Sequence, residues 1–217
     1  MTPVSAAGDV AVLWLATLQR ALGRASHDVK DALNGVSVNL EVIRSRSARA
    51  EVPAATVAPF AAAAGQQLER LTTLVEAVLA LGRAERDPAD VAVILSRLAA
   101  LCGASSSSAD ADVVVELGDV ESTLTRVPGD AVRLALAAAL LDVVTGSDRS
   151  NRASPVRCRL SEGEGATIVT IGATGRRAAM PEAVADAVRA AGVRWTEAMR
   201  EDAGAESNDL SLAFPRA

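Results

Sequence analysis

Two long segments in the first part of the chain repeat apolar residues every three or four positions, as amphipathic helices do. The first runs from about residue 9 to residue 46, with Asp9 as a suitable N-cap, and the second from about 54 to 83. Pro53, in the short connector between them, suits the first turn of a helix. The pattern therefore predicts an antiparallel helical hairpin as a first domain over residues 1–84.

Such a hairpin exposes an apolar stripe that another surface must cover. On the first helix, the large apolar side chains lie within roughly 60° of one direction at about 100° per residue. These residues are Leu15, Leu18, Leu22, Val29, Leu33, Val36, Leu40 and Ile43. Either the rest of the chain or a second copy can cover this stripe. Its length favours a second copy, and hence a homodimer with a four-helix bundle.

Residues 85–217 mix helices and strands and form the second predicted domain. The patterns predict helices over 90–103, 129–145 and 180–193, and strands over 113–117, 122–127, 155–160, 167–172 and 209–214. The strands over 155–160 and 167–172 read as a hairpin, with a turn of Ser, Glu and Gly between them. The whole chain is thus expected to be an α+β protein, whose sheet is covered by helices on one face.

Composition excludes several classes of function. The net charge of −5, the pI near 5.0 and the 2% aromatic content all argue against a nucleic-acid partner. Cys102 and Cys158 stand far apart and the chain has one histidine, so we expect no metal site and a reducing compartment. No apolar run approaches the ~18 residues that cross a bilayer, and the first residues lack a basic leader. We therefore expect a cytoplasmic protein with no membrane partner.

The single histidine, His27, points away from the apolar stripe of the first helix. Lys30, the only lysine, lies one turn further along the helix and offers a compact positive charge that suits a phosphoryl oxygen. Gly23, one turn before His27, leaves room for an approaching partner. A solvated histidine on a polar helix face is the alternative interpretation of the same pattern.

The stretch SHDVKDALNGVSVNLEVI, residues 26–43, resembles the phosphoacceptor box of two-component histidine kinases. That box reads roughly His, acidic, apolar, basic, variable, Pro, Leu, Asn. The residues that match it in order are His27, Asp28, Val29, Lys30, Leu33 and Asn34. Asp31 replaces the usual Thr or Asn, and Ala32 replaces the proline. The resemblance implies that His27 accepts phosphate and that Asp28 orients it, with Asp31 as a second candidate.

The second domain resembles the ATP-binding domain of the same kinases in layout but departs from it at the nucleotide site. Ala139 and Val143 stand where the family has asparagines that hold Mg²⁺ and phosphates. The stretch IGATGRR, residues 171–177, has no acidic residue where the family has an aspartate. Where the family has a Gly-rich lid, this chain has only REDAGAESND, residues 200–209. We therefore expect no cofactor on this chain.

The resemblance is strongest to the bacterial histidine phosphotransferases, which relay phosphate between response regulators. It implies a homodimer whose partners are receiver domains, with Mg²⁺ supplied by the receiver. Two alternatives stay open. One is a non-catalytic docking and dimerisation module, which would bind receivers without transferring phosphate. The other is a divergent active histidine kinase, which ATP alone would label.

Overall fold

The computed structural model describes residues 3–49, 53–83, 87–102, 113–145, 155–174, 177–202 and 205–217. Its first part is a helical hairpin, in which helix α1 (Pro3–Ser47) packs along helix α2 (Ala58–Leu81). A turn of 3₁₀ helix, Ala54–Thr56, precedes α2. Of the helices that the structure describes, none is both long and apolar enough to cross a bilayer.

The described residues of the second part form three helices and seven strands. The helices are α3 (Val91–Leu101), α4 (Gly129–Thr145) and α5 (Glu182–Ala190). The strands are β1 (Ala89–Asp90), β2 (Val113–Leu117), β3 (Leu124–Thr125), β4 (Val156–Gly163), β5 (Ala166–Gly172), β6 (Arg194–Asp202) and β7 (Ala205–Pro215).

Five of these strands form a mixed sheet in the order β2-β4-β5-β7-β6. β2 runs parallel to β4, and every other pair is antiparallel. Alternate residues of β4, β5 and β7 are buried, as expected for strands with one covered face. The other two strands, β1 and β3, form a separate short pair. The prediction of an α+β protein with an N-terminal helical region is therefore confirmed.

Several predicted boundaries differ from the structure. The first helix already begins at Pro3, so Asp9 lies inside it and is not its N-cap, because a proline is well accommodated in the first turn. The strand predicted over 122–127 is shortened to the two residues of β3. The hydroxyl group of Thr123, just before β3, donates to the carboxylate of Asp90, and that of Thr125 donates to the backbone carbonyl of Pro215. The sequence also predicts a turn over the Ser-rich residues 105–112 and a loop over 149–153, and both segments lie outside the described residues. Asp90 caps α3, accepting hydrogen bonds from the backbone N–H groups of Ala92 and Val93.

The apolar stripe of the hairpin is divided between two surfaces. On α1 the buried side chains are mostly small: Val10, Thr17, Ala21, Ala25 and Ala32. They let the first half of α1 pack closely on α4 and α5 while α1 also packs on α2. The larger Leu15, Leu33 and Leu40, on the neighbouring flank, remain exposed. The rest of the chain thus covers one flank of the stripe only.

The first half of α1 and the C-terminal end of α2 share one hydrophobic core with the second part. Ala21 and Ala25 of α1 and Leu81 of α2 belong to the same buried cluster as α3, α4 and the sheet. Ala32 is buried within the hairpin but is not part of that cluster. α1 therefore leaves the common core just after Ala25. A division of the chain at residue 84 stays a prediction.

Arg133, in the second turn of α4, joins α4 to both helices of the hairpin. The residue is 4% exposed, and its Nη1 donates to the backbone carbonyls of Leu81 at 2.9 Å and Arg83 at 2.6 Å. Its Nη2 pairs with Asp130, and its guanidinium carbon lies 5.1 Å from the ring centre of Trp14. The last carbonyls of a helix have no partner within the helix, so Arg133 satisfies groups at the end of α2 that would otherwise be buried unpaired.

Both cysteines are buried, as the sequence predicted for small apolar side chains. Burial raises the pKa of the Cys158 thiol to about 12, with a smaller contribution from the Cys102 thiol. At neutral pH Cys158 is therefore protonated and chemically inert.

Replacing Arg133 with Met should destabilise the protein by about 2–4 kcal/mol, because the buried carbonyl of Leu81 and the partly buried carbonyl of Arg83 both lose a charged donor. Chemical denaturation followed by circular dichroism measures the change. Arg126→Met is the matched control, since Arg126 is exposed and should lose less than about 0.5 kcal/mol. Equal losses in the two variants would contradict the role assigned to Arg133.

Candidate phosphoacceptor site

His27 lies on α1 just beyond the part of the helix that enters the common core. Its neighbour Ala25 is buried, whereas 66% of the His27 side chain is exposed. Two residues further along a helix correspond to a rotation of about 200°, so a buried Ala25 turns His27 towards solvent. The imidazole of His27 is therefore exposed to solvent, as the sequence predicted.

Asp31, one turn after His27, makes the closest contact with the imidazole. The Nδ1 atom of His27 lies 3.0 Å from Oδ2 of Asp31. An ionised carboxylate carries no proton to donate, so this contact favours the tautomer of His27 that has its proton on Nδ1. In the neutral imidazole the lone pair is then on Nε2, which faces away from this contact and is the available nucleophile.

Asp28 completes a compact group with these two residues. One ligand atom from each of His27, Asp28 and Asp31 lies within 4.8 Å of the others. Asp28 is half-buried, and the carboxylate oxygen that lies 3.0 Å from Nδ1 of His27 belongs to Asp31. The structure therefore favours Asp31, the residue that departs from the family pattern, over Asp28 as the orienting carboxylate.

Lys30 and Asn34 are both exposed on α1 but are rotated from His27 by different angles. At about 100° per residue, Asn34 lies close to the direction of His27, two turns away, while Lys30 is rotated by about 60°. That rotation brings Lys30 to a groove between α1 and α2. Lys30 therefore lies between the imidazole and the groove.

The groove has a volume of about 370 Å³ and is mostly apolar. Leu22, Ala25, Ser26, Val29 and Lys30 of α1 line it together with Leu74, Val75, Val78 and Leu79 of α2. Sequence patterns predicted both apolar stripes but not this opening between them. The flank of α1 that packs into the core carries small residues such as Ala21 and Ala25. The larger side chains on the neighbouring flank are therefore not covered by the core, and the groove lies beside them.

The residues at the positions expected for a nucleotide site are buried and apolar. They are Ala139 and Val143 of α4 and Ala173, directly after β5. The described residues of the stretch 200–209 form the end of β6 and the start of β7. Asn208, in β7, donates from its side chain to the carbonyl of Ala178 at 3.2 Å and so ties the segment before α5 to the sheet.

Replacing Asp31 with Ala should shift the His27 tautomers towards protonated Nε2. The ratio should change by about fivefold, since an exposed charge-assisted hydrogen bond contributes about 1 kcal/mol. Long-range ¹H–¹⁵N correlation at pH 8 measures this ratio directly, because His27 is the only histidine. Asp28→Ala is the control and should leave the ratio unchanged. A shift in the control instead would assign the orienting role to Asp28.

Structural neighbours of the chain include histidine kinase domains and a bacterial phosphotransferase. The histidine kinase domain of the blue-light-activated kinase from Erythrobacter litoralis EL346 is 14% identical, with a TM-score of 0.43 over 91% of this chain and 94% of that one. The Acinetobacter baumannii histidine kinase AdeS is 16% identical, with a TM-score of 0.41 over 87% and 97%.

A bacterial phosphotransferase determined at 1.7 Å is 12% identical, with a TM-score of 0.42 over 98% of this chain and 97% of that one. No protein-family model and no curated protein matches the chain. The predicted resemblance of the layout to histidine kinases and phosphotransferases is thus confirmed. At such identities and TM-scores the matches describe the arrangement of the elements, and the chemistry has to be judged from the residues of this chain.

Proposed function

We propose that this chain is a histidine phosphotransferase of a phosphorelay, which takes phosphate onto His27 from the aspartate of one receiver domain and passes it to another. The observation that carries this proposal is the exposed imidazole of His27, whose Nδ1 is held by Asp31 at 3.0 Å. An oriented imidazole with a free Nε2 is what in-line attack on phosphorus requires.

In the forward step, Nε2 attacks the phosphorus of an aspartyl phosphate. A bond between nitrogen and phosphorus forms as the bond between phosphorus and the acyl oxygen breaks, and the receiver recovers its carboxylate. Asp31 accepts the Nδ1 proton in a hydrogen bond and so stabilises the positive charge that develops on the imidazole. The reverse step, with a second receiver, regenerates His27.

The other residues that match the phosphoacceptor box have supporting roles in this proposal. Lys30 attracts a phosphoryl oxygen as a point charge. Asp28 and Asn34 lie within two turns of His27 and contribute polar groups to the surface that a receiver covers. The receiver supplies the Mg²⁺ that neutralises its phosphate.

We further propose that the chain binds no ATP. The buried side chains of Ala139, Val143 and Ala173 offer neither oxygen ligands for Mg²⁺ nor an acceptor for an adenine amino group. The hydrogen bonds of Arg133 to the end of α2 also hold α4 against the hairpin. These hydrogen bonds oppose a movement of α4 relative to the hairpin, which an autokinase would need in order to bring a bound nucleotide to His27.

The exposed flank of the hairpin supports the proposal of a homodimer. Leu33 and Leu40 of α1 and Leu68, Val75 and Leu79 of α2 are all more than two-fifths exposed. Val75 and Leu79 also line the groove between the helices. Monomeric proteins rarely leave a contiguous apolar surface of this extent uncovered. A second copy that places its own hairpin here would complete a four-helix bundle and leave His27 accessible.

Replacing His27 with Ala should abolish phosphate uptake from receiver domains charged with acetyl phosphate, while the fold stays intact because the side chain is exposed. Acid-labile, base-stable phosphate on the chain is the measurement. Lys30→Ala should slow uptake by about tenfold, since a charge-assisted contact contributes about 1.5 kcal/mol or more. Continued uptake by the His27 variant would rule out the acceptor.

Radiolabelled ATP offered in place of the charged receivers should leave the chain unlabelled. Calorimetric titration with Mg²⁺-ATP at tens of micromolar should likewise show no saturable heat of binding. Labelling by ATP would identify an active kinase. Receivers that bind the chain without any transfer of phosphate would identify a docking module.

Leu33→Glu and Leu68→Glu should each convert a dimer into a monomer. Both side chains are about half exposed in the single chain, at 47% and 55%, so the fold tolerates the change. In the bundle each glutamate would be buried unpaired twice per dimer, which should weaken association by at least about 100-fold.

Val38→Glu is the matched control for these two variants. Val38 is 63% exposed and lies on the same helix, but it faces the side of His27 and not the apolar flank. This variant should remain dimeric in sedimentation experiments at micromolar concentration. A wild-type chain that sediments as a monomer at that concentration would contradict the proposed bundle.

A further inference from the structure

Gly23 lies inside α1, one turn before His27 and on the same side of the helix. Glycine in a helix interior is less favourable than alanine by about 1 kcal/mol, because it loses more backbone freedom on folding. Close packing often accounts for such a glycine. Gly35 is an example from the same helix, since a Cβ there would lie 3.3 Å from Cγ of Gln67 in α2.

No packing of this kind accounts for Gly23. It is exposed, and beyond its chain neighbours and its own helix backbone a Cβ built on it would meet no atom of the described residues within 4 Å, as is also true of Gly65 in α2. Alanine, or a longer side chain, would therefore fit the folded chain and make α1 more stable. The fold does not require glycine at residue 23.

The position of Gly23 identifies what would approach it. Residues four apart on a helix have Cβ positions about 5–6 Å apart, so residue 23 directly adjoins His27. A protein that brings a phosphoryl group into contact with Nε2 has to cover this part of α1. Within two turns of His27, the basic residues Arg20, Arg24 and Lys30 outnumber the acidic residues Asp28 and Asp31, in a chain whose net charge is −5. This small local excess of positive charge is compatible with an anionic partner.

We infer that a receiver domain carrying an aspartyl phosphate covers Gly23 when its phosphate meets His27, and that the absence of a side chain at residue 23 lets the receiver come close enough. This inference rests on the proposed phosphotransfer at His27. It adds the side from which the receiver docks, which is the N-terminal side of the imidazole, and a residue that controls the approach. Gly23 acts through steric access and takes no part in the chemistry.

The experiment compares a protein donor with a small one. Gly23→Gln places a helix-forming, uncharged side chain beside His27, and Ala16→Gln places the same side chain on the same exposed side of α1, two turns earlier. Each variant is given receiver domains charged with acetyl phosphate and, separately, phosphoramidate. Phosphoramidate transfers its phosphoryl group to an imidazole with loss of ammonia, and it is small enough to pass a glutamine side chain.

Gly23→Gln should lower the rate of transfer from the receivers by about tenfold or more, because a small displacement of the reacting atoms is costly. Labelling by phosphoramidate should stay within about twofold of the wild type, because Nε2 itself is unchanged. Ala16→Gln should match the wild type with both donors. Gly23→Ala should raise the thermal midpoint and retain most of the transfer, since a methyl group adds little bulk.

The possible results distinguish a failure of this inference from a failure of the proposed function. Wild-type transfer rates in Gly23→Gln would overturn the docking inference and leave His27 as the acceptor. An equal loss with both donors would show that residue 23 affects the imidazole and not the docking, and would also overturn it. A wild-type chain that takes no phosphate from any receiver would overturn the proposed function and this inference with it.

Discussion

The guanidinium group of Arg133 lies where α1, α2 and α4 meet, and the orientation of α1 depends on that junction. Contacts among Ala, Val and Leu side chains are non-directional and allow helices to rotate or slide at low cost. The hydrogen bonds from Arg133 to the end of α2 are directional, and the ring of Trp14 adds a contact from α1. Together they fix how the hairpin is rotated on α4, and therefore which way His27 points.

The regular elements could be predicted from the sequence because their patterns are local. The periodicity of α1 and α2, the Asp90 cap of α3 and the alternation in β4 and β5 each depend on residues close together in the chain. The flank of α1 that is buried could not be predicted in the same way. The helical pattern gives the centre of the apolar stripe, whereas packing against α4 selected the flank with Ala21 and Ala25, whose small side chains permit close approach.

At the site, the direction of His27 followed from the helix geometry alone, since the backbone fixes where each Cβ points. The choice between Asp28 and Asp31 did not, because both lie within reach and their side-chain torsions decide which one meets Nδ1. Arg133 was missed as well. Its signal was present in the sequence, as a lone cation in the apolar run from 131 to 141, where an unsatisfied charge would be too unfavourable to bury.

The point at which α1 leaves the common core has a mechanical consequence. α1 belongs to the common core as far as Ala25 and projects from there to Ser47 together with α2. The hairpin therefore behaves as a beam that is fixed at one end. Its free length is about 33 Å at 1.5 Å per residue, and His27 lies only about 3 Å from the fixed point. Bending displaces such a beam least near its support, so thermal motion that moves the tip of the hairpin leaves the imidazole almost still. The imidazole of His27 thus keeps a well-defined position close to the core while it is exposed to solvent.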